Sequence, residues 1–277
     1  MPELPEVEVV RRGLERELVG RRIDTVSATG ARTVRRTSAE AVETGARGRV
    51  VASVARRGKY LLVGLDDGAT VLVHLRMSGQ LRLADTGTPE PPHTHVRFGL
   101  DDGRALRFVD PRTFGEVVVV RPGRWADDAP DLLALGPDPL LDRFGPHGLA
   151  VRLARRRRVK DLLVDQHVIA GIGNIYADEV LWHARVRFDR PGVLLDAREI
   201  RALHRALRRV LGTAVEAGGS TLSDGQYVDV DGRAGRYQER HAVHGRVGRP
   251  CPRCRTAVVR SDWGGRSSYW CPRCQNS

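Results

Sequence analysis

After Pro5, the apolar residues Val7, Val10, Leu14 and Leu18 recur at helical spacing, and Glu6 and Glu8 fall in the first turn, where the helix dipole favours acid. The pattern predicts one amphipathic helix at the start of the chain. From Arg22 to about Arg121 the period changes to short β-rich runs: VVASVA, KYLLVGL, ATVLVHLRM, THVRFGL, ALRFVD and GEVVVV. Asp-Asp-Gly turns at Asp66 and Asp101 separate them, so an antiparallel sandwich or barrel is expected. The segment RPGRWADDAPD then breaks all periodicity with Pro, Gly and acid, which marks a hinge. A helical half follows in HGLAVRLARRRR, VKDLLVDQHVIA, IYADEVLWHARV and DAREIRALHRALRRVLGTAVEAGG, the last stopped by Gly218 and Gly219. The expected organisation is α+β: an N-terminal β-sandwich with its opening helix over residues 1–122, a linker over 123–135, a helical domain over 136–240, and a cysteine-bearing tail over 241–277.

The four cysteines change the picture of the tail. Cys251-x2-Cys254 and Cys271-x2-Cys274 stand 16 residues apart, the spacing of a four-thiolate zinc ribbon, and a reducing compartment favours metal over disulfides. One structural Zn²⁺ is expected, because four thiolates leave no position open for a catalytic water, and so short a tail cannot bury enough apolar surface to fold without it.

Charge narrows the partner. Forty-six Lys and Arg against 34 Asp and Glu give a net +12, the footprint of a polyanion ligand such as nucleic acid, though a basic ribosomal or membrane-surface protein would share it. Only Lys59 and Lys160 are lysines, so each merits individual inspection. No stretch approaches the roughly 18 apolar residues of a spanning helix, and MPELPEVEVV carries acid where a signal peptide carries base. The expectation is a protein of the bacterial cytoplasm, not associated with membrane.

Pro2-Glu3-Leu4-Pro5-Glu6 alone is an ordinary helix start. It is followed, however, by Arg57-Gly58-Lys59-Tyr60, His74-Leu-Arg-Met77-Ser-Gly, Asp110-Pro-Arg112-Thr-Phe114-Gly, Gly171-Ile-Gly-Asn174-Ile-Tyr-Ala and the terminal ribbon. In that order, across essentially the whole chain, these motifs resemble the formamidopyrimidine-DNA glycosylase and endonuclease VIII family. The resemblance implies a helix-two-turn-helix domain in the helical half and a zinc-finger hairpin at the end. It also implies a bifunctional glycosylase and AP lyase of base excision repair, acting as a monomer on damaged double-stranded DNA.

The resemblance assigns roles residue by residue. With Met1 removed, Pro2 presents a secondary amine of pKa about 8, able to attack C1′ and persist as an iminium. Glu3 resembles the family's general acid/base, and Glu6 supports it. Lys59 and Arg266 resemble residues that hold the phosphates flanking the lesion and assist elimination. Because a base must leave the stack to be processed, something fills the gap: Met77, Arg112 and Phe114 resemble the family's space-filling residues. Asn174, at a helix start, and Arg155 and Arg156, in a basic run, are expected to meet phosphate, and Lys160, just after that run, resembles a family lysine near the phosphate or the lesion. His74 and His93 are weaker phosphate candidates, while His183 and His204 on helical faces are expected to be structural. The usual DPRRFG reads DPRTFG here, and the segment 220–240, where a lesion-capping loop is expected, is Gly-rich and divergent. PELPE favours the branch that acts on oxidised purines such as 8-oxoguanine and formamidopyrimidines. Oxidised pyrimidines, or lesion binding without catalysis, are the competing readings.

Overall fold

The computed structural model describes residues 1–222 and 225–276. Ser223 and Asp224, two residues of the expected lesion loop, lie outside them, as does Ser277. The chain divides into two compact units, the first made of Met1–Ala134 and Ala217–Arg236, the second of Leu135–Glu216 and the residues from Tyr237 on.

In the first unit helix α1 (Leu4–Leu18) carries its expected stripe, with Val7, Val10, Leu14 and Leu18 all at most 2% exposed. Two four-stranded antiparallel sheets follow. One has the order β1-β6-β7-β5 and the other β2-β3-β4-β8, built from β1 (Ile23–Ala28), β2 (Val51–Arg57), β3 (Tyr60–Leu65), β4 (Thr70–His74), β5 (Gln80–Asp85), β6 (Thr94–Leu100), β7 (Arg104–Val109) and β8 (Glu116–Val120). Side chains alternate across a strand, so Leu61, Val71, Val73 and Val117 from one sheet meet Leu81, Phe98 and Phe108 from the other in a single core with the stripe of α1. This is the expected sandwich.

Two strands and one helix of this unit were not legible in the hydrophobic pattern. β1 and β5 are the edges of their sheet and bury only part of their length, which blurs alternation. Helix α2 (Ala39–Ala46) is two turns long and starts where the Ser38 hydroxyl accepts the Ala41 N–H at 3.1 Å. The expected hinge contains two single helical turns, α3 (Trp125–Asp128) and α4 (Pro130–Leu133). A larger difference concerns residues 217–236, which the sequence grouped with the helical domain. Tyr227 and Val230 are buried in the sandwich core, and the Leu83 N–H donates to Val230 O at 3.1 Å, so this segment belongs to the first unit.

The second unit holds α5 (Pro146–Leu153), α6 (Val159–Leu163), α7 (Asn174–Ala184), α8 (Ala197–Glu216) and a hairpin of β9 (Val259–Trp263) and β10 (Arg266–Trp270). α8 buries Ile200, Leu203, Leu207, Val210, Leu211 and Ala214, the amphipathic stripe its sequence requires. Helices α5 and α6 are shorter than their apolar patterns suggested. α5 stops at Leu153, before Arg155 to Arg157, which stay exposed. α6 stops at Leu163, where side chains compete for the backbone: Asp165 accepts the His167 N–H at 3.1 Å, and Gln166 bonds both Gly171 N and Ile172 O at 2.8 Å.

Candidate active site

The start of α1 is buried and acidic. Pro2 is buried beneath an exposed Met1, and Glu3 and Glu6 are 2% and 1% exposed. One carboxylate organises this cluster. Glu6 Oε2 accepts the Glu3 N–H at 2.8 Å, and Glu6 Oε1 accepts the Ser220 N–H at 2.7 Å, so the residue after Pro2 and the stem of the 217–236 segment share one acceptor group. Gly219 is required at this approach: its φ is +79°, and a Cβ there would sit 2.9 Å from Glu6 Oε1. The Tyr227 hydroxyl closes the stem by donating to Gly218 O at 3.1 Å. Burial, with Glu6 nearby, pushes this phenol well above its ordinary pKa and keeps it a donor.

Lys59 is presented by a two-residue turn. Arg57 pairs with Tyr60 across β2 and β3, and Gly58, with φ +57°, occupies the first turn position, as a type II′ hairpin demands. The turn is braced from beneath: Arg56, fully buried, donates to Gly58 O at 2.9 Å and to Glu8 on α1 at 3.0 Å. Burial alone would raise the Glu8 pKa, but bonds from Arg11 and Arg56 outweigh it and hold the carboxyl below its usual value. Lys59 itself is 6% exposed.

A second loop of the same unit is built around Asp110. Its fully buried carboxylate accepts Ser78 Oγ–H at 2.5 Å, Gly115 N–H at 2.6 Å and Arg112 N–H at 3.3 Å, which fixes residues 111–115 as a rigid turn. Arg112 and Phe114 stand out from it, the ring 46% exposed with the guanidinium 5.1 Å from its centroid. Met77, next to Ser78, is half-buried, and His93 is exposed.

In the second unit the hairpin tip is a Gly264-Gly265 turn, both at positive φ, that leaves Trp263 and Arg266 exposed. Asn174, the first residue of α7, donates from Nδ2 to Ser267 O at 3.0 Å, and its buried Oδ1 has no partner among the described residues. Arg155 and Arg156 are exposed, while Arg158 stacks on the Trp263 ring at 3.6 Å. At the base of the hairpin the four cysteine sulfurs lie within 4.8 Å of one another, with Cys251–Cys274 at 3.9 Å and Cys254–Cys271 at 3.4 Å. Zn–S bonds of about 2.3 Å in a tetrahedron put sulfurs about 3.8 Å apart, so the four thiolates fit a structural zinc. The Trp182 indole N–H donates to Cys251 Sγ at 3.4 Å and orients it from behind.

Comparison with known proteins agrees with this layout. Residues 1–117 match the formamidopyrimidine-DNA glycosylase N-terminal domain, 135–226 the formamidopyrimidine-DNA glycosylase H2TH domain, and 248–276 the zinc finger found in FPG and IleRS. Formamidopyrimidine-DNA glycosylase from Acidothermus cellulolyticus is 46% identical, over 99% of this chain and 97% of its own. The chain belongs to the formamidopyrimidine-DNA glycosylase family. Its activity is accordingly that of a DNA glycosylase with AP lyase function. The crystal structure of MutM (Fpg) from Thermus thermophilus superposes with a TM-score of 0.90 at 44% identity, covering 100% of this chain and 99% of that one. The Lactococcus lactis Fpg in complex with abasic-site DNA gives 0.91 at 32% identity, covering 99% and 100%.

Two residues expected to contact DNA, Lys160 and His74, are buried in this family member. Lys160 is 3% exposed, and its ammonium donates to Asp178 Oδ1 at 2.6 Å, Ser267 O at 2.7 Å and Ser268 Oγ at 3.1 Å. Through these bonds Lys160 fastens α6 to α7 and the hairpin. His74 is 7% exposed; burial first, then Arg76 and Lys59, drives its pKa well below the ordinary value. It is neutral, with Nδ1 accepting the Arg76 N–H at 2.9 Å, which leaves Nε2–H as its donor. His204 bonds Phe144 O at 2.9 Å, and His183 is held near pKa 4 by burial, both in structural settings.

The sequence pattern assigned no role to Asp178, Glu179, Tyr227 or the motif residue Asp110. Glu179 is fully buried and accepts N–H groups from Ala242, Val243 and His244 at 2.9, 3.0 and 2.9 Å, which seats the approach to the ribbon on α7. Adjacent acids on one helix turn are ordinarily read as solvated, and only their burial reveals the role. The signal available was the apolar setting of IYADEVLW, where two acids interrupt a buried helix.

Proposed function

We propose that this chain removes oxidised purines from duplex DNA through an amine of Pro2 and then cleaves the strand by β,δ-elimination. The observation that carries the reading is the Glu6 carboxylate, which clasps the Glu3 N–H on one side and the Ser220 N–H on the other, holding the nucleophile's segment in a buried acidic site. Once Met1 is removed, the Pro2 nitrogen attacks C1′, the C1′–N bond to the base breaks, and the base departs with the electron pair and a proton. Glu3 moves protons at the opening sugar, its protonated form donating to the ring oxygen. The resulting iminium acidifies C2′–H. Loss of that proton expels the 3′ phosphate, and a second elimination expels the 5′ phosphate.

Lys59 and Arg266 are assigned to the flanking phosphates, with Arg155, Arg156, Asn174 and His93 as further backbone contacts. Phe114 and Met77 fill the vacated stack and Arg112 donates to the unpaired base, in keeping with an exposed ring on a rigid turn. The zinc supplies structure to the hairpin that presents Arg266 and no step of the reaction. The partner is damaged double-stranded DNA, bound by a monomer. No helix of the described residues is long and apolar enough to cross a membrane, and a bacterial nucleoid setting is part of this reading.

Borohydride trapping tests it. Mature protein mixed with a duplex carrying 8-oxoguanine opposite cytosine should yield a covalent adduct, and Pro2→Gly or a Met1-retaining form should not. An adduct with thymine glycol alone would move the protein to the oxidised-pyrimidine branch. Lesion-selective binding with no adduct on either duplex would sink the enzymatic reading.

A further inference from the structure

We propose that the base of the zinc ribbon carries a docking site for an acidic peptide of a partner protein, separate from the DNA contacts. The two knuckles share a sequence, Cys251-Pro-Arg253-Cys254 and Cys271-Pro-Arg273-Cys274, of which metal ligation explains only the cysteines. Both arginines line one open cleft of about 600 Å³, joined by Arg185 just beyond α7 and Arg198 in the first turn of α8.

Four guanidiniums there face two carboxylates, and both carboxylates are already engaged. Asp196 Oδ1 accepts the Glu199 N–H at 2.8 Å, and Glu199 Oε2 accepts from Asp196 N at 2.9 Å and Arg190 at 3.1 Å. Arg253 is held in place before any ligand arrives: it lies 4.1 Å from the Trp182 ring centroid and donates to Trp182 O at 3.2 Å. Arg198 and Arg273 are exposed, and among the described residues neither guanidinium forms an ion pair within 4 Å, although Asp196 attracts Arg198 at longer range and accepts its backbone N–H.

Within the second unit, position separates this cleft from the phosphate contact assigned to Asn174. α7 starts at Asn174, assigned above to DNA, and ends at Ala184 on the cleft wall, about 15 Å away at 1.5 Å per residue. Chemistry selects the ligand. Forked guanidiniums pair with carboxylates bidentately, and Ala184 and Ala202 between them offer apolar contact. Asp196 and Glu199 at the wall oppose a continuous phosphodiester backbone, whereas discrete carboxylates can be placed around them. A segment alternating acidic and aliphatic residues fits.

The probe is a fluorescein-labelled peptide of three Asp-Leu pairs, read by anisotropy on zinc-loaded full-length protein, free and saturated with an uncleavable abasic-analogue duplex. Binding should persist on the DNA-saturated protein and weaken about fivefold in Arg198→Glu or Arg273→Ala, each with its zinc content measured. Arg155→Glu should weaken DNA and leave the peptide untouched. Displacement of the peptide by the duplex, equal binding of an Asn-Leu peptide, or wild-type affinity in both cleft variants would overturn the proposal. A short single strand whose binding depends on Arg198 would assign the cleft to nucleic acid instead.

Discussion

Replacing Glu6 by Gln removes one charge and almost no volume, so it isolates the acceptor role of the carboxylate. At 1% exposure the group has no water to fall back on, and its two oxygens face two backbone N–H groups, of Glu3 and Ser220. A glutamine offers one oxygen and one NH2. Whichever way the amide turns, one backbone N–H meets another donor. An orphaned buried donor costs about 1–3 kcal/mol, and the surviving bond loses its charge assistance, about 1 kcal/mol more. The sum of about 2–4 kcal/mol corresponds to a melting point lower by about 4–16 °C for a unit of this size. Because the two donors belong to the segment after Pro2 and to the 217–236 stem, catalysis should fall along with stability. Single-turnover trapping on an 8-oxoguanine duplex is expected to slow by more than tenfold, while binding to an abasic-analogue duplex changes far less. Glu15→Gln, on the exposed side of the same helix, serves as the control and should match wild type in both assays. A Glu6→Gln melt within about 1 °C of wild type, with trapping within twofold, would refute the reasoning, since the orphaned donor would then have cost nothing.

Other outcomes follow from the same geometry. Chelating the metal should unfold the ribbon and abolish lesion binding while the sandwich core keeps its strands, seen as lost tryptophan signal with near-constant far-ultraviolet β-sheet dichroism; lesion binding that survives full zinc removal would contradict it. Lys160→Met leaves Asp178 buried without its cation and should lower stability by about 3–5 kcal/mol, more than Arg155→Ala or Arg156→Ala, which should affect only DNA affinity and its salt dependence. His74 is neutral when folded and gains a proton when unfolded, so its contribution is present above about pH 6.5 and is lost as pH falls, at up to about 1.4 kcal/mol per pH unit. The melting-point difference between about pH 7 and about pH 5 should therefore shrink in His74→Gln, and an unchanged difference would assign the acid sensitivity elsewhere. Phe114→Ala should leave stability within about 0.5 kcal/mol of wild type, because the ring is exposed, yet slow base excision from duplex more than from single strand; a large loss of stability would mark the ring as core.

Much of this architecture was legible from one chain. The stripe of α1, the β runs with their Asp-Asp-Gly turns, the long α8 and the paired knuckles are local patterns, fixed by the period of burial and by the geometry of four thiolates. The edge strands β1 and β5 were missed because an edge buries too little to impose alternation. The lengths of α5 and α6 were overstated because an apolar count does not register Asp165 and Gln166 taking the backbone for themselves.

Residue identity also marked Pro2, Glu3, Lys59, Phe114 and the cysteines as positions worth attention. It could not tell a surface cation from a buried one. Lys160 and Arg155 sit in the same basic run, yet one is sealed by Asp178, Ser267 and Ser268, which come from distant parts of the chain, and the other is open to solvent. Likewise, nothing near Glu6 in sequence announces Ser220 or Tyr227, 214 and 221 residues on. The sequence determines elements and chemistry through local spacing. Burial, pairing and protonation depend on which distant groups arrive beside a side chain, and only the tertiary structure decides that.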